Sequence, residues 1–381
     1  MHCGNAGMTL IIKTDETVNV MTCFDDTYRN RRVLVTGQTG FKGSWLWKWL
    51  HIMGAQLGGI ALSPMSEPSH WKLLYPEDKL PPVDVRDAQA VQKTVEEFEP
   101  EIVFHLAAEA LVRRSYQKPL QTMLTNVVGT QHVYEACRSV KSVRAIVSIT
   151  SDKVYLNQER ETGYLEGDRL GGADPYSCSK ACVELVSDCY RQSFLQSADA
   201  PLLATVRAGN VIGGGDWAED RIVADAVRAA SKGEVLKIRN PHAVRPWQHV
   251  LEPLAGYLMV GQALLAGDRN AATAWNFGPR QEDAVPVADL VDAMKKVWPK
   301  VSAEFSLEAN APHETKILRL NSDFARETLG WQPLWTWREA VERTLTWYRQ
   351  FYEEGSCRTA ADFDAYVQRA AACQVKWVQR G

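Results

Sequence analysis

The sequence lacks the features that mark several large classes of protein. Its 381 residues carry 43 Lys and Arg against 46 Asp and Glu, so it has no basic excess of the kind that nucleic-acid and membrane-surface binders use. The longest uncharged stretch, 253–267, is too short for a membrane span and predicts a buried helix. The first twenty residues show no signal-peptide pattern. We therefore expect a cytoplasmic protein that binds neither nucleic acid nor membranes.

Cysteine motifs with metal-ligand spacing are also missing. The eight cysteines include no Cys-x-x-Cys pair. Cys178 and Cys182 stand one helical turn apart, but no His or Cys pair with ligand spacing accompanies them. We therefore expect no metal site, and reduced thiols packed in a cytosolic protein.

Short apolar runs alternate with helical stretches over the first half of the chain. This alternation predicts right-handed crossovers and an α/β fold with a doubly wound parallel sheet of Rossmann type. From about residue 211 the rhythm loosens, which predicts a smaller C-terminal lobe interleaved with the last strands of the sheet. The strands are predicted at 33–36, 57–62, 82–85, 102–107 and 145–150, and the helices at 40–53, 88–98 and 122–138.

A glycine-rich turn joins the first predicted strand to the first predicted helix. Gly37 permits a tight turn, Gly40 lets the backbone approach a pyrophosphate, and Gly43 allows close helix–sheet packing. The helix N-terminus then offers its unpaired N–H groups to the anion. The turn therefore predicts a dinucleotide site, which also includes Thr39, Phe41 and Lys42.

The residues after the glycine turn bear on which dinucleotide is bound. The acidic residue expected about twenty positions further on is missing, and Ser63 stands where the adenosine ribose is expected. No 2′-phosphate clamp is visible apart from the nearby Lys42, so NAD is favoured over NADP. Asp84 and Val85 end the third predicted strand, where Asp84 is placed to accept from the adenine amino group. A helix cap or turn is the alternative role for Asp84.

A Tyr-x-x-x-Lys motif follows the strand predicted at 145–150. Tyr176 and Lys180 are one turn apart in a helix, so they share a helix face. A neighbouring ammonium favours the phenolate, which predicts a lowered pKa for Tyr176. Ser151, at the end of the strand, adds a hydroxyl, and the three residues downstream of a glycine turn form a specific combination.

This combination resembles the extended short-chain dehydrogenase/reductases. Ser151, Tyr176 and Lys180 match the Ser/Thr, Tyr and Lys of that family. The resemblance implies that Tyr176 accepts a sugar hydroxyl proton as hydride passes to nicotinamide. It implies further that Lys180 lowers the Tyr176 pKa and binds the nicotinamide ribose, and that Ser151 hydrogen-bonds the reacting oxygen.

Asp152 and Lys153 directly follow Ser151 and resemble one branch of the family. Members that remove water need an ionisable pair here, because they must also expel a hydroxyl. The pair is Asp-Glu in the dTDP-glucose branch, whereas the string from Thr150 to Tyr155 resembles the branch that acts on CDP-glucose. The resemblance implies that Asp152 is the general acid and Lys153 the general base. For Lys153, a surface lysine at a strand end is the alternative.

The resemblance covers about 26–337 and implies further site residues. Leu106, Ala107 and Ala108 would line the NAD site. Arg221 and Arg245 carry guanidinium forks that suit phosphate oxygens, with surface ion pairs as the alternative. Family members usually dimerise through the Tyr176 helix and the helix at 122–138, which implies a homodimer. The residues implied to bind or border a nucleotide sugar are Glu109, Asn126 (as a structural anchor), Asn210, Arg221 and Arg245.

We divide the chain into four predicted segments. An N-terminal extension (1–25) is weakly ordered to about residue 21, and an NAD-binding domain (26–210) carries the catalytic residues. A mainly substrate-binding lobe (211–355) returns some elements to the sheet, and a tail (356–381) has no assigned role. Trp45, Trp47 and Trp49 alternate along the first helix, so at least one should face solvent or a partner.

The resemblance implies dehydration of CDP-D-glucose to CDP-4-keto-6-deoxy-D-glucose. C4 is oxidised, water leaves across C5 and C6, and the hydride returns to C6. Another nucleotide-sugar 4,6-dehydratase or a 4-epimerase is the nearest alternative. A non-catalytic NAD-binding regulator is a more distant one, because such proteins commonly lose the Tyr or the Lys, and both are present here.

Overall fold

Apolar segments of four to seven residues form a central parallel sheet. The computed structural model describes residues 22–305 and 318–378. In that part of the chain the sheet has six strands in the order β2-β1-β3-β4-β5-β9, and two small sheets pair β10-β8-β6 and β11-β7. The strands are β1 (Arg32–Thr36), β2 (Gln56–Ile60), β3 (Ile102–His105), β4 (Ala145–Ile149), β5 (Leu202–Ala208), β6 (Asn210–Ile212), β7 (Val235–Ile238), β8 (Val244–His249), β9 (Ala274–Phe277), β10 (Ala284–Pro286) and β11 (Ser302–Phe305).

Helices cover both faces of the central sheet, which confirms the Rossmann-type α/β prediction. Alternate residues of β1 enter different cores, because Val33 and Val35 belong to one cluster and Leu34 to another. The helices are α1 (Phe41–Ile52), α2 (His70–Leu74), α3 (Ala88–Phe98), α4 (Val112–Gln117), α5 (Pro119–Met123), α6 (Gly129–Ser139), α7 (Pro175–Ser193), α8 (Ile222–Lys232), α9 (Leu251–Leu265), α10 (Val287–Val297), α11 (Asp323–Leu329), α12 (Trp337–Glu354) and α13 (Thr359–Ala372).

The second half of the chain divides between the sheet and a smaller lobe. β9 pairs with β5 at the sheet edge, and α9 is the buried helix predicted at 253–267. The small sheets and helices α8, α10 and α12 instead share a separate apolar cluster. The predicted boundary at 210–211 falls inside β6, and the domain limits stay a prediction. In the described segments no helix is both long and apolar enough to cross a bilayer.

The strand predicted at 82–85 is absent. These residues have no regular secondary structure, and the Val83 N–H donates one isolated hydrogen bond, of 2.9 Å, to the Ala61 carbonyl. Pro81 and Pro82 offer no N–H to a neighbouring strand, so a continuous ladder cannot form. β2 is therefore the outer strand on this side.

The C-terminal segment explains why the prediction for the three tryptophans of α1 was wrong. Trp45, Trp47 and Trp49 are all buried, at 0%, 7% and 1% exposure. α13 covers the helix on one side, with Phe363 against both Trp45 and Trp49. α2 covers it on the other side, where Trp71 lies edge-on to Trp47. The tail at 356–381 thus contributes core packing in its described part.

Further contacts attach both ends of the described chain to the core. Phe24, in the predicted extension, is fully buried and stacks on Trp377 with ring centroids 5.0 Å apart. The buried Glu252 carboxylate in α9 accepts hydrogen bonds from the Leu334 and Trp335 N–H groups and the Tyr366 hydroxyl. The predicted weakly ordered residues 1–21 lie outside the described residues.

Candidate active site

The glycine turn between β1 and α1 has the backbone shape that the sequence predicts. Gly37 has φ +74°, and a Cβ there would lie 2.8 Å from the Ala107 nitrogen. A Cβ on Gly43 would lie 2.1 Å from the Gly37 carbonyl oxygen, so only glycine lets α1 pack this closely on the turn. Gly40 is the N-cap of α1 and places no side chain over the helix N-terminus. The turn is therefore an open cradle lined by backbone N–H groups.

A hydrogen-bonded chain behind the turn fixes the loop after β3. The Thr36 hydroxyl lies 2.7 Å from His105 Nδ1 and accepts from the Ala107 N–H at 3.0 Å. His105 Nε2 lies 2.8 Å from the Thr130 hydroxyl. Burial, aided by the charge of Lys180, lowers the pKa of His105 to about 3, so this histidine is a neutral structural link. It holds Leu106, Ala107 and Ala108 against the glycine turn.

Asn126 anchors the same loop to the helix of the Tyr-x-x-x-Lys motif. Its side chain accepts from the Glu109 N–H at 2.7 Å and donates to the Glu109 carbonyl at 3.0 Å and to the Ser179 hydroxyl at 2.8 Å. Both amide hydrogens are thus used inside the protein, so Asn126 positions the site rather than donating to a ligand. The Glu109 carboxylate pairs with Arg114 at 3.0 Å.

Ser151 and Asp152 lie together at the carboxyl end of β4. The Ser151 hydroxyl donates to the Asp152 carboxylate at 2.9 Å and accepts from the Lys153 N–H at 3.2 Å. Both side chains are buried. A Cβ on Gly209 would lie 3.2 Å from the Asp152 carboxylate, so this glycine provides the space for Asp152. Lys153 itself is partly buried.

Tyr176 and Lys180 extend from the first turns of α7 towards the same strand end. The Lys180 ammonium donates to the Ile149 carbonyl at 3.0 Å, and burial lowers its pKa to about 8. Burial raises the pKa of Tyr176, while a hydrogen bond with Ser151 and the positive charge of Arg221 oppose that rise. The prediction of a lowered Tyr176 pKa from Lys180 alone is therefore wrong, because burial outweighs the neighbouring charges.

A buried ion pair supports the floor of this site. Glu184 and Arg207 are 2.8 Å apart, with 2% and 3% side-chain exposure. Glu184 also accepts hydrogen bonds from the Thr150 and Thr205 hydroxyls. The Arg207 guanidinium donates to the Tyr155 hydroxyl at 2.6 Å. The network thus clamps both sides of the 151–153 segment.

The remaining predicted site residues lie around the cleft, and they differ in whether they are exposed, paired or buried. Ser63 is exposed in the loop after β2, near Leu62, whose carbonyl accepts from the Thr39 hydroxyl at 2.8 Å. Asp84 pairs with Arg86 at 2.5 Å. Val85 is buried against Gly129, and Phe41 borders the glycines after β6. Residues at the small-lobe side of the cleft are Asn210 at the start of β6, Arg221 before α8 and Arg245 on β8.

Several residues of the site are not part of any sequence motif and were therefore not predicted. Glu184 lies one turn beyond Lys180, and its position on the same helix face was the available signal. Arg207 and Tyr257 reach the site through β5 and α9, which are distant in sequence. In the described segments no three His, Cys, Asp or Glu side chains are grouped as metal ligands.

The parallel sheet, the glycine turn and the Ser-Tyr-Lys set define an extended short-chain dehydrogenase/reductase. The sequence profile of the GDP-mannose 4,6 dehydratase family matches residues 34–344. A CDP-glucose 4,6-dehydratase of Salmonella typhimurium (strain LT2) is 45% identical over 328 residues, which cover 84% of this chain and 91% of the relative. The chain belongs to the GDP-mannose 4,6-dehydratase family within the NAD-dependent epimerases and dehydratases.

Solved structures share the fold. An epimerase of Methanothermobacter thermautotrophicus superimposes with a TM-score of 0.74 at 24% identity, covering 87% of this chain and 96% of that chain. A dTDP-glucose 4,6-dehydratase of Streptomyces venezuelae, solved with NAD, gives a TM-score of 0.70 at 24% identity, covering 85% and 98%. Epimerases and dehydratases therefore share this architecture, and the fold alone does not separate the two reactions.

Proposed function

We propose that this chain is an NAD-dependent enzyme that dehydrates CDP-D-glucose to CDP-4-keto-6-deoxy-D-glucose. The observation that carries the proposal is the 45% identity to a CDP-glucose 4,6-dehydratase across 91% of that relative. Asp152 and Lys153, directly after Ser151 at the end of β4, add the ionisable pair that loss of water requires. Nucleotide sugars are the substrate class of the dehydratase relatives.

The residues present fit NAD. The turn of Gly37, Gly40 and Gly43 offers backbone N–H groups to a diphosphate at the α1 N-terminus, and side chains at Gly37 and Gly43 would collide with the backbone that shapes it. In this proposal Lys180 and Tyr176 would meet the nicotinamide ribose, and Ser63 and Asp84 the adenosine end. When bound, NAD accepts hydride from the sugar and returns it, so the reaction consumes no external oxidant.

In the oxidation step, residues of this chain accept the proton of the sugar hydroxyl. Tyr176, as phenolate, takes the proton of the C4 hydroxyl as the C4–H bond breaks and C4 becomes a ketone. Ser151 donates a hydrogen bond to the reacting oxygen, and Lys180 holds the phenolate by its charge. Because burial raises the Tyr176 pKa, the phenolate must gain stabilisation when ligands fill the cleft.

The elimination uses the pair beside Ser151. The new C4 ketone acidifies the C5–H bond, and Lys153, as the general base of the proposal, takes that proton. Asp152, as the general acid of the proposal, gives a proton to the departing C6 hydroxyl, which leaves as water. Hydride then returns to C6 and a proton to C5, so the net change is loss of one water molecule. The burial of Asp152 against Gly209 keeps water from the acid.

Product analysis tests the function. Purified protein is incubated with NAD and, separately, with CDP-glucose, dTDP-glucose, UDP-glucose and GDP-mannose. We expect CDP-glucose to give the alkali-induced absorbance of a 4-keto sugar with no net NADH formed. Preferred turnover of another sugar nucleotide would refute the assignment of cytidine and of Lys153 as base. A C4 epimer that retains the C6 oxygen would refute dehydration.

We also propose that the glycine turn can be tested by a matched pair of alanine variants. Gly37 and Gly233 both have positive φ, +74° and +71°, but a Cβ on Gly233 meets nothing within 4 Å. We expect Gly37→Ala to weaken NAD binding by about 10- to 100-fold, because the displaced N–H groups lose charge-assisted hydrogen bonds. Gly233→Ala should leave NAD affinity unchanged and cost only about 1 kcal/mol of stability. Calorimetric titration with NAD measures both, and equal affinities would refute the assignment.

A homodimer built on α7 and the helical stretch at 122–138, which begins in α5 and ends in α6, is a further part of the proposal. Leu120 and Leu185 on these neighbouring helices are 71% and 59% exposed, and Tyr116 and Leu124 beside them are 64% and 40% exposed. Large apolar side chains grouped in this way favour a protein partner. A second copy would meet the same face across a two-fold axis.

A cytoplasmic location agrees with the absence of disulfides among the described cysteines.

We expect Leu120→Glu/Leu185→Glu to convert a dimer into a monomer. Burial of each leucine in the interface would stabilise the dimer by about 1.5–3 kcal/mol. Each substitution occurs twice in a two-fold interface, so its effect is doubled. Light scattering coupled to size exclusion measures the mass. Leu80→Glu, at a 40% exposed position in the loop between α2 and α3, is the control and should leave the mass unchanged. A double variant that remains dimeric would place the interface elsewhere.

A further inference from the structure

Lys42 belongs to the glycine turn, but its ammonium lies among the catalytic residues. It is the second residue of α1, and its Nζ lies 6.0 Å from the centre of the Tyr257 ring. The charges that act on it are those of Arg221, Asp152, Lys180 and Asp216. Arg221 lies at the small-lobe side of the cleft and Asp152 at the end of β4, whereas Lys180 is assigned to the nicotinamide ribose.

Apart from the Tyr257 ring, the Lys42 ammonium has no partner among the described residues. It makes no hydrogen bond and no ion pair within 4.0 Å to any residue of the described chain. Burial and, second, the charge of Arg221 lower the pKa of Lys42 to about 8. The negative charges of Asp152 and Asp216 oppose this lowering. Arg221 is exposed in the cleft and likewise has no ion-pair partner among the described residues. Two close cations that repel each other are the arrangement that an anion between them would stabilise.

A second observation points to a ligand at the same place. The Tyr257 hydroxyl is fully buried and has no hydrogen-bond partner in the described segments. The charges that act on it are those of Tyr176 and Asp152, so it lies at the catalytic end of the cleft. A buried polar group left unpaired is costly, and an oxygen of a bound ligand would satisfy it.

We propose that Lys42, together with Arg221, binds the diphosphate of the nucleotide sugar, and that Tyr257 supports Lys42 from below. This differs from the cofactor role that the sequence motif suggests for Lys42. The α1 backbone serves the NAD diphosphate, while the Lys42 side chain crosses to the second diphosphate. One helix turn thereby fixes both ligands, which sets the distance between the sugar C4 and the hydride acceptor. The proposal rests on the proposed function for the identity of the base and sugar.

Binding measurements test the proposal separately from catalysis. Lys42→Met and wild type are titrated with NAD and with CDP, and wild type also with dTDP, UDP and GDP. We expect Lys42→Met to weaken CDP binding by about 10- to 100-fold, as for loss of a charge-assisted contact, and to change NAD affinity by less than about 3-fold. Lys42→Arg should recover most of the loss. Lys48→Met, the same change further along α1, is the control and should bind both ligands normally.

The outcomes separate this proposal from the proposed function. If wild type prefers another nucleoside diphosphate, the cytidine assignment fails and Lys42→Met is judged with that ligand. A loss confined to NAD, an equal loss for both ligands, or no loss for either overturns the assignment of Lys42. Failure of wild type to bind any of the four diphosphates also overturns it. In a double-mutant cycle that combines Lys42→Met with Arg221→Met, the two losses of CDP binding free energy should be less than additive, because both cations hold one anion.

Discussion

Tyr176→Phe is expected to lower kcat for dehydration by about 10²- to 10⁴-fold while leaving the protein folded. The ring is 8% exposed and stays packed after the change. What is lost is the oxygen that takes the C4 hydroxyl proton, so oxidation has no base. KM for the nucleotide sugar should change little, because the binding contacts remain. Steady-state kinetics with the 4-keto product as readout give both constants.

A buried tyrosine away from the cleft provides the control. The Tyr134 hydroxyl lies 2.7 Å from the Ser187 hydroxyl, between α6 and α7. Tyr134→Phe should reduce stability by about 1 kcal/mol and leave kcat unchanged. If Tyr176→Phe instead retained full activity, a different group would be the base and the Tyr-x-x-x-Lys assignment would fail.

The raised pKa of Tyr176 also predicts the form of the pH profile. Burial keeps the phenol protonated near neutral pH, against the opposing effects of Ser151 and Arg221. The oxidation needs the phenolate, so its rate should rise with pH until the pKa of the ligand-bound state is passed. Single-turnover absorbance of transient NADH isolates this step. A rate that falls with increasing pH would show that Tyr176 does not act as the base.

The local parts of the fold and site were predictable from sequence because their signals are local. A glycine triplet between a strand and a helix fixes the turn, since side chains at Gly37 and Gly43 would collide with backbone. The spacing of Tyr176 and Lys180 places both on one face of α7. Apolar runs predicted all the central strands up to β4, with ends shifted by one or two residues.

The failures of prediction have non-local causes. Trp45, Trp47 and Trp49 are buried because α2 and α13 close over α1, and no pattern within α1 shows what covers it. The Tyr176 pKa rises because of burial by distant segments, whereas Lys180 is visible four residues away. The strand predicted at 82–85 fails because two prolines remove ladder donors. Ser151, Asp152 and Lys153 keep their catalytic roles as predictions, supported by their place at the end of β4.

The second large effect is expected on stability, from the buried pair of Glu184 and Arg207. Burial favours a raised pKa for Glu184, but the Arg207 guanidinium and the Thr150 and Thr205 hydroxyls together lower it. Glu184→Gln keeps the shape but replaces one carboxylate oxygen by an NH2 group, so only one of the two threonine hydroxyls keeps its acceptor and the Arg207 charge is left uncompensated. We expect the free energy of unfolding to fall by about 3–5 kcal/mol. Arg207→Met should cost a similar amount, since it leaves the Glu184 charge uncompensated.

The double variant and the pH dependence distinguish the ion pair from simple loss of packing. Glu184→Gln/Arg207→Met removes both charges, so its loss should be smaller than the sum of the two single losses by several kcal/mol. Because the folded-state pKa of Glu184 is lowered, its contribution is complete above the unfolded value of about 4.3 and is lost as the pH falls through the folded value. Denaturant unfolding should therefore show less acid sensitivity in the double variant than in wild type. Strict additivity, with unchanged acid sensitivity, would mean that Thr150 and Thr205 hold the floor of the site and that the charges contribute little.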